Sequence, residues 1–445
     1  MSELRSQDAA SSARRVATRV LHRVASEGAW ATPALDAEIH RARLDRRDAA
    51  LATEITYGAL RVLPRLDATL DAHLSRPSKV DPFLRAALRV GAYQLLHLSR
   101  APSHAVVSDA VAIVKRERGP RLSGVANAVL RKVAASRPET PAAPERVEVP
   151  PWVAQALERS LGRERAAAFL EARPLPPPLG LRAVRGDVEA RLQALREARP
   201  EAMVERAVGT PRGLWIRGAG DPRALPGFAE GELAVQELGS QLVVALAGVA
   251  AGERIADLCA GHGTKSLAMA EQGAEVLAVD LYEEKLERAL AEGKRLGLAL
   301  RRMALDLTVG TGGLGPSFDR VIVDAPCTGL GTLHRRPELL LRVQPIDPAR
   351  LAELQTRIVT TAVGLVRPGG VLVFAVCSPT AEEGIEVMRR IEAAHPRLER
   401  MPSTGGDPIA CDEDGLFRIG PWSTLGGAAP DAYQVARWRV TDAAT

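Results

Sequence analysis

At 445 residues the chain is long enough for two or three domains, and its 46% hydrophobic content excludes a protein that is disordered throughout. The net charge of +5 is unevenly held, with +9 on residues 1 to 140 and −4 on the rest, so the amino-terminal part is fitted to a polyanionic partner such as nucleic acid. No window reaches the roughly eighteen apolar residues of a membrane span, and the opening MSELRSQDAASSARR lacks an apolar core for secretion, which predicts a cytoplasmic location and no membrane partner.

Residues 12 to 136 read as helix after helix. ARRVATRVLHRVA, DAALATEITYGALRVL, LDATLDAHL, PFLRAALRVGAYQLLHL, HAVVSDAVAIVKRE and SGVANAVLRKVA each repeat apolar residues at helical spacing, broken at Pro77-Ser78, Asp81-Pro82 and Gly119-Pro120. This predicts an all-α domain over 1–140. The Pro-rich run that follows reads as a stiff, extended linker over 141–151. Residues 152–235 then mix two amphipathic helical stretches with the proline cluster PLPPPLGLRAV.

From residue 236 the pattern changes to alternating helix and strand. ELGSQLVVALAGV is followed by GERIADL, a glycine loop from Cys259 through Ala260, Gly261, His262, Gly263 and Thr264 to Lys265, and another helix. Such a loop lets backbone approach a ligand closely. The dinucleotide fingerprint would need Gly where Ser266 stands, and the P-loop would need Gly where Thr264 stands, so both fail. S-adenosylmethionine fits better. It has no pyrophosphate, and its ribose and adenine call for acidic partners, which the ends of successive strands supply: AEVLAVD at Asp280, RRMALD at Asp306 and DRVIVD at Asp324.

The four cysteines, at 259, 327, 377 and 411, form no CxxC pair and are too sparse for a disulfide framework or a zinc site, which predicts reduced thiols and no metal. A lone free cysteine is more often a small core hydrophobe than a reagent. Here, however, Cys327 follows the strand ending at Asp324 and Cys377 ends the apolar strand GGVLVFAVCS, so both thiols and the Asp324 carboxylate are expected to converge outside the carboxyl ends of a parallel sheet.

DAPCTGLG followed by VFAVCS resembles the paired cysteine motifs of the RNA 5-methylcytosine methyltransferases, the RsmB/Sun and NSUN family, and the helical region resembles the NusB RNA-binding fold. The resemblance implies an α/β fold. Its Rossmann-like S-adenosylmethionine-dependent methyltransferase domain, 236–445, would follow a small α+β subdomain, 152–235, and the all-α NusB-like domain. It implies Cys259 to Lys265 as the donor loop, with Asp280, Asp306 and Asp324 as acidic donor positions. It implies Cys377 as nucleophile toward cytosine carbon-6, Cys327 as the thiol that assists proton loss and release, Asp324 at the ring N3 edge, and RNA, specifically small-subunit rRNA, as substrate.

Several positions depart from the family pattern. CAGHGTK stands where CAAPGGK is usual, placing His262 and Thr264 in the loop, and Gly384 stands where Asn usually follows the Glu-Glu pair. These departures motivate a non-catalytic RNA-binding or ribosome-assembly adaptor as the alternative. A DNA cytosine-5 methyltransferase ranks last, because its nucleophile would be the Pro-Cys thiol and Cys377 would have no role. Arg335 and Arg336 are candidate phosphate contacts.

Overall fold

The computed structural model describes residues 2–99, 101–140, 146–171, 177–423 and 427–441. The chain packs into two compact units, one of Met1–Ala154 with Leu170–Pro176 and Leu333–Val343, the other of Gln155–Phe169, Pro177–Thr332 and Gln344–Thr445.

The first unit is helical: α1 (Ser2–Ser26), α2 (Ala31–Ala42), α3 (Arg46–Arg61), α4 (Leu63–Asp71), α5 (Pro82–His97), α6 (Ser103–Arg118) and α7 (Pro120–Ala135). Local chemistry sets several ends. The side chains of Asp45 and Asp81 cap α3 and α5 by accepting the N–H groups of Asp48 and Leu84 at 2.8 and 2.9 Å. Leu21, Ile55, Leu66, Leu84, Leu88 and Leu130 meet in its core.

Two features differ from the sequence reading. The described end of the proline-rich run is no free spacer, because Val147 is buried with its N–H on the Leu170 carbonyl at 2.8 Å, and the Glu148 N–H reaches the Arg61 carbonyl at 2.9 Å. Residues 141–145 lie outside the described set. More consequentially, residues 333–343, expected within the methyltransferase domain, belong to the helical unit. Their PELLL sequence forms a 3₁₀ turn, Pro337–Leu341, whose apolar run needs a surface to cover it. Leu341 packs with Ala13, Val16 and Leu35, buried Glu338 accepts the Ala31 N–H at 3.1 Å, and Arg61 donates to the His334 carbonyl.

Helix α8 (Pro151–Leu170), broken at Gly162, where φ is 75°, gives Gln155–Phe169 to the second unit. Strands β1 (Leu179–Ala183), β2 (Met203–Arg206), β3 (Gly213–Arg217) and β4 (Leu233–Val235) form an antiparallel sheet in the order β2-β3-β1-β4, covered by α9 (Val188–Ala198). The larger sheet alternates strands and helices: α10 (Leu238–Ala247), β5 (Arg254–Leu258), α11 (Thr264–Ala270), β6 (Glu275–Asp280), α12 (Glu283–Leu296), β7 (Arg301–Ala304), β8 (Phe318–Asp324), α13 (Asp347–Val363), β9 (Val366–Val376), α14 (Ile385–Ala394), β10 (Leu398–Arg400), β11 (Phe417–Ile419) and β12 (Tyr433–Val440).

Its strand order is β10-β12-β9-β8-β5-β6-β7, with β5 to β9 parallel, β12 antiparallel to β9, and β11 paired to β12. Alternation places Val321 and Val323 against α13 and α14 while Ile322 faces the α10 and α11 side, so the sheet is covered on both faces and its strands read as unbroken apolar runs. One boundary differs from expectation. The third parallel strand stops at Ala304, short of Asp306, because its partner β6 ends at Asp280, whose carbonyl takes the last N–H, that of Leu305, at 3.0 Å.

Candidate active site

From β5 the chain winds outward through β6 to β7, then crosses back to β8 and β9 on the other side. The reversal between β5 and β8 is the point at which open α/β sheets bind ligands. The loops after both strands open there.

The loop after β5 is held from below. Cys259 takes φ 62°, a left-handed backbone that residues other than Gly seldom adopt. Ala260 donates to the Val279 carbonyl at 2.9 Å, and Gly261 donates to Asp280 Oδ2 at 2.8 Å. Asp280 Oδ1 accepts the Tyr282 N–H at 3.0 Å, so the acid expected at the ribose is also the buttress of the glycine loop. Gly263, at φ 72°, admits no side chain, since a Cβ there would sit 2.5 Å from that of Ala289. Thr264 opens α11 in helical backbone, where a side chain is tolerated. His262 is exposed and, with Thr264, Arg288 and Glu292, lines a cavity of about 410 Å³. Burial, then the charge of Asp280, pushes the Cys259 thiol up, which keeps it protonated.

Asp306 lies in the loop beyond β7 and takes both the N–H and the hydroxyl of Thr308 on Oδ1, at 2.8 and 2.6 Å. These bonds hold its carboxylate below the usual range and leave Oδ2 for another donor.

Asp324 ends β8, and its Oδ2 accepts the Lys265 ammonium at 2.6 Å. Burial works against the Lys265 charge, but the Asp324 carboxylate outweighs it and, with Asp257 and Cys377, raises the ammonium's pKa. The same ammonium lies 5.5 Å from the centroid of the Tyr433 ring. Asp257, buried at the end of β5, accepts the Ser266 hydroxyl at 2.5 Å, and burial pushes its pKa up to about 7.

The two expected thiols meet. Cys327 Sγ and Cys377 Sγ are 3.3 Å apart, a hydrogen-bond separation and far longer than the ~2.05 Å of a disulfide. The hydrogen bond to Cys377, then burial, raises the pKa of Cys327.

A residue without an assigned role organises the pair. Glu383 is fully buried and accepts the Thr328 N–H at 2.7 Å, the Thr328 hydroxyl at 2.6 Å, the Ser378 hydroxyl at 2.6 Å and the Thr380 hydroxyl at 3.0 Å. Thr328 and Ser378 directly follow the two cysteines, so one carboxylate ties both thiol-bearing loops together; the hydroxyl residue after each cysteine was the available signal. Gly384 is explained by the same region. A Cβ there would meet the Gln434 side chain at 2.1 Å, and Gln434 donates to the Ser378 and Thr380 carbonyls at 2.8 and 2.7 Å. Gln434, on β12, fills the space that a side chain at 384 would take.

Arg335 and Arg336 lie in the 333–343 segment, with the helical unit.

Residues 244–424 match the family model for the 16S rRNA methyltransferase RsmB/F, and residues 11–135 match the NusB family. The ribosomal RNA small subunit methyltransferase B of Thermus thermophilus is 36% identical over 418 residues, covering 93% of this chain and 95% of that protein. The chain belongs to the RsmB family. A methyltransferase of the same description from Pseudomonas putida is 32% identical, covering 86% of this chain and 89% of its own. Among solved structures, that of PH0851 has the same fold, with a TM-score of 0.81 at 22% identity over 96% of this chain and 98% of that one. NSun6 from Pyrococcus horikoshii, solved with SFG, has a TM-score of 0.55 at 16% identity over 66% and 99% of the two chains. As an RsmB-family member the chain is an S-adenosylmethionine-dependent rRNA methyltransferase with a NusB-type RNA-binding domain.

Proposed function

We propose that the chain methylates carbon-5 of a cytosine in 16S rRNA through a covalent bond from Cys377 to carbon-6, and that it does so in the cytoplasm. The observation that carries this reading is the 3.3 Å approach of the Cys327 and Cys377 sulfurs beside the Asp324–Lys265 pair.

The residues present fit the donor. Gly261, at φ 58°, has open space where a side chain would stand, Asp280 and Asp306 follow adjacent strands, and exposed Leu281 and Tyr282 offer apolar surface for an adenine. We assign Cys259 to Lys265, Asp280, Asp306 and Asp324 to holding it. S-adenosylmethionine supplies an electrophilic methyl group on a sulfonium.

Carbon-5 of cytosine is a weak nucleophile until the ring's conjugation is broken. The target base leaves its stack to reach the pocket. The Cys377 thiolate then bonds to carbon-6, which makes carbon-5 enamine-like and places electron density on N3, which the Asp324–Lys265 pair stabilises through the charge of the ammonium. Carbon-5 takes the methyl group and still carries its hydrogen. Release requires that proton to leave and the sulfur–carbon bond to break. Cys327, whose sulfur lies 3.3 Å from that of Cys377, is the group placed for this step. After giving its own proton to water, Cys327 takes the carbon-5 proton as a thiolate, and the electron pair of the broken carbon–hydrogen bond re-forms the carbon-5–carbon-6 double bond and expels the Cys377 thiolate.

The departures that motivated an adaptor have physical places: Thr264 opens a helix and Gly384 makes room for Gln434. The test is to incubate the protein with donor and unmethylated 16S rRNA and map the product. A 5-methylcytosine at one position supports the reading, and a methyl group on any other atom or base overturns it.

A further inference from the structure

Among the described residues, two aromatic side chains stay exposed: Tyr282, next to the Asp280 carboxylate, and Trp30, at 44%. Trp30 lies in the helical unit, immediately before α2. Its surroundings are built with care for an exposed side chain. The Arg342 guanidinium covers the indole at 4.0 Å from the ring centroid and is itself fixed by donating to the Gly28 carbonyl and, at 2.7 Å, to that of Ala29. Glu338 pins the same segment to the first N–H of α2. Exposed Arg336 sits 5.7 Å from the ring centroid, and its guanidinium makes no hydrogen bond among the described residues.

A rigid indole backed by one cation and flanked by another suits a nucleobase and its phosphate. Every base has a π-face that stacks on an aromatic ring, and the charge on the ring's covered face adds to the attraction. The +9 charge on residues 1 to 140 favours the same kind of partner. Position along the chain ties this patch to the chemistry, because Arg336 follows Cys327 by nine residues, a span of at most about 30 Å even fully extended. That is a few nucleotides of extended RNA.

We infer that Trp30 and Arg336 form a stacking station for one unpaired base of the rRNA substrate a few nucleotides from the target cytosine, the indole taking the base and Arg336 the adjoining phosphate. The inference rests on the Cys327 loop lying at the reaction centre.

The test uses the full-length protein and an rRNA fragment that it methylates. Trp30→Ala and Trp30→Leu should each weaken RNA binding by roughly five- to 150-fold with donor affinity unchanged, while Trp30→Phe recovers most of the loss. Arg336→Ala should lower the slope of log affinity against log salt by about 0.7, the contribution of one phosphate on a single strand. A scan of single abasic sites across the fragment separates stacking from general damage. One flanking position should reproduce the loss in the wild-type protein and add nothing in Trp30→Leu. RNA affinity within twofold of wild type in both Trp30→Leu and Trp30→Ala, or abasic losses that add to Trp30→Leu at every position, would overturn the inference; loss of a protein partner with RNA affinity unchanged would do the same. Full methyl transfer by Cys377→Ala would instead remove the reaction-centre reading on which it rests.

Discussion

The Lys265 ammonium and Asp324 Oδ2 are 2.6 Å apart, so the carboxylate expected to meet the substrate alone is half of an ion pair. Lys265 is 9% exposed and Asp324 30%, which puts the carboxylate toward solvent and the cation beneath it. Such a pair can follow charge developing on a bound ring better than a carboxylate alone, which would repel it. Lys265→Met should therefore lower kcat by about 10²-fold, the loss typical of removing one fixed electrostatic donor, and weaken donor binding as well. Single-turnover methylation with donor calorimetry checks this. Unchanged kcat would place Lys265 outside the chemistry.

Asp257 gives a stability signature. Burial pushes its pKa up to about 7, against about 3.9 for an unfolded aspartate. For a carboxyl raised on folding, the stability contribution is complete below the unfolded value and is lost as pH rises through the folded one. Asp257→Asn, which stays neutral and can still accept the Ser266 hydroxyl, should thus gain on the wild type between pH 5 and 8, by on the order of 2–4 kcal/mol at the upper end. Parallel melting profiles for the two proteins across that range would contradict this.

Much of this arrangement could be read from residues alone. Asp280, Asp324, Cys327 and Cys377 stand at or just beyond strand ends because an apolar run covered on both faces stops where its chain must meet solvent, and those stops are visible in VLAVD, VIVDAPC and VFAVCS. Partnerships across long sequence distances were not visible. Nothing local tells that Lys265 reaches Asp324, that Glu383 gathers Thr328, Ser378 and Thr380, or that Gln434 fills the space above Gly384, since each depends on which strands become neighbours. The segment 333–343 shows the same limit. PELLL announces an apolar surface in need of cover without naming the helical unit as the cover.

Glu383 should be needed for the geometry of both cysteines. Glu383→Ala leaves the Thr328 N–H and three hydroxyls without their acceptor, and should cost about 2 kcal/mol or more of stability and most of the activity. Glu383→Gln keeps one acceptor oxygen and should fall between the two. Thermal melts alongside methylation rates check the order, and Glu383→Ala indistinguishable from wild type would show that the loops hold themselves.

Asp280→Ala should weaken donor binding by about 1.5–3 kcal/mol, roughly ten- to 150-fold, through loss of charge-assisted hydrogen bonds and of the support beneath Gly261. Titration calorimetry of the donor reads this directly. Unaltered affinity would move the ribose site elsewhere.

The central claim is that the two thiols act in order, Cys377 making the bond and Cys327 enabling its release. Labelled rRNA incubated with donor and each variant, then run on a denaturing gel, reads this most directly. Cys327→Ala should accumulate RNA joined to protein as a shifted band. Cys377→Ala should show no band and no methyl transfer while still binding donor, and the Cys327→Ala/Cys377→Ala double variant should lose the band seen with Cys327→Ala alone. A band that appears with Cys377→Ala and not with Cys327→Ala would reverse the roles, and full activity in both single variants would show that the sulfurs 3.3 Å apart are packing and nothing more.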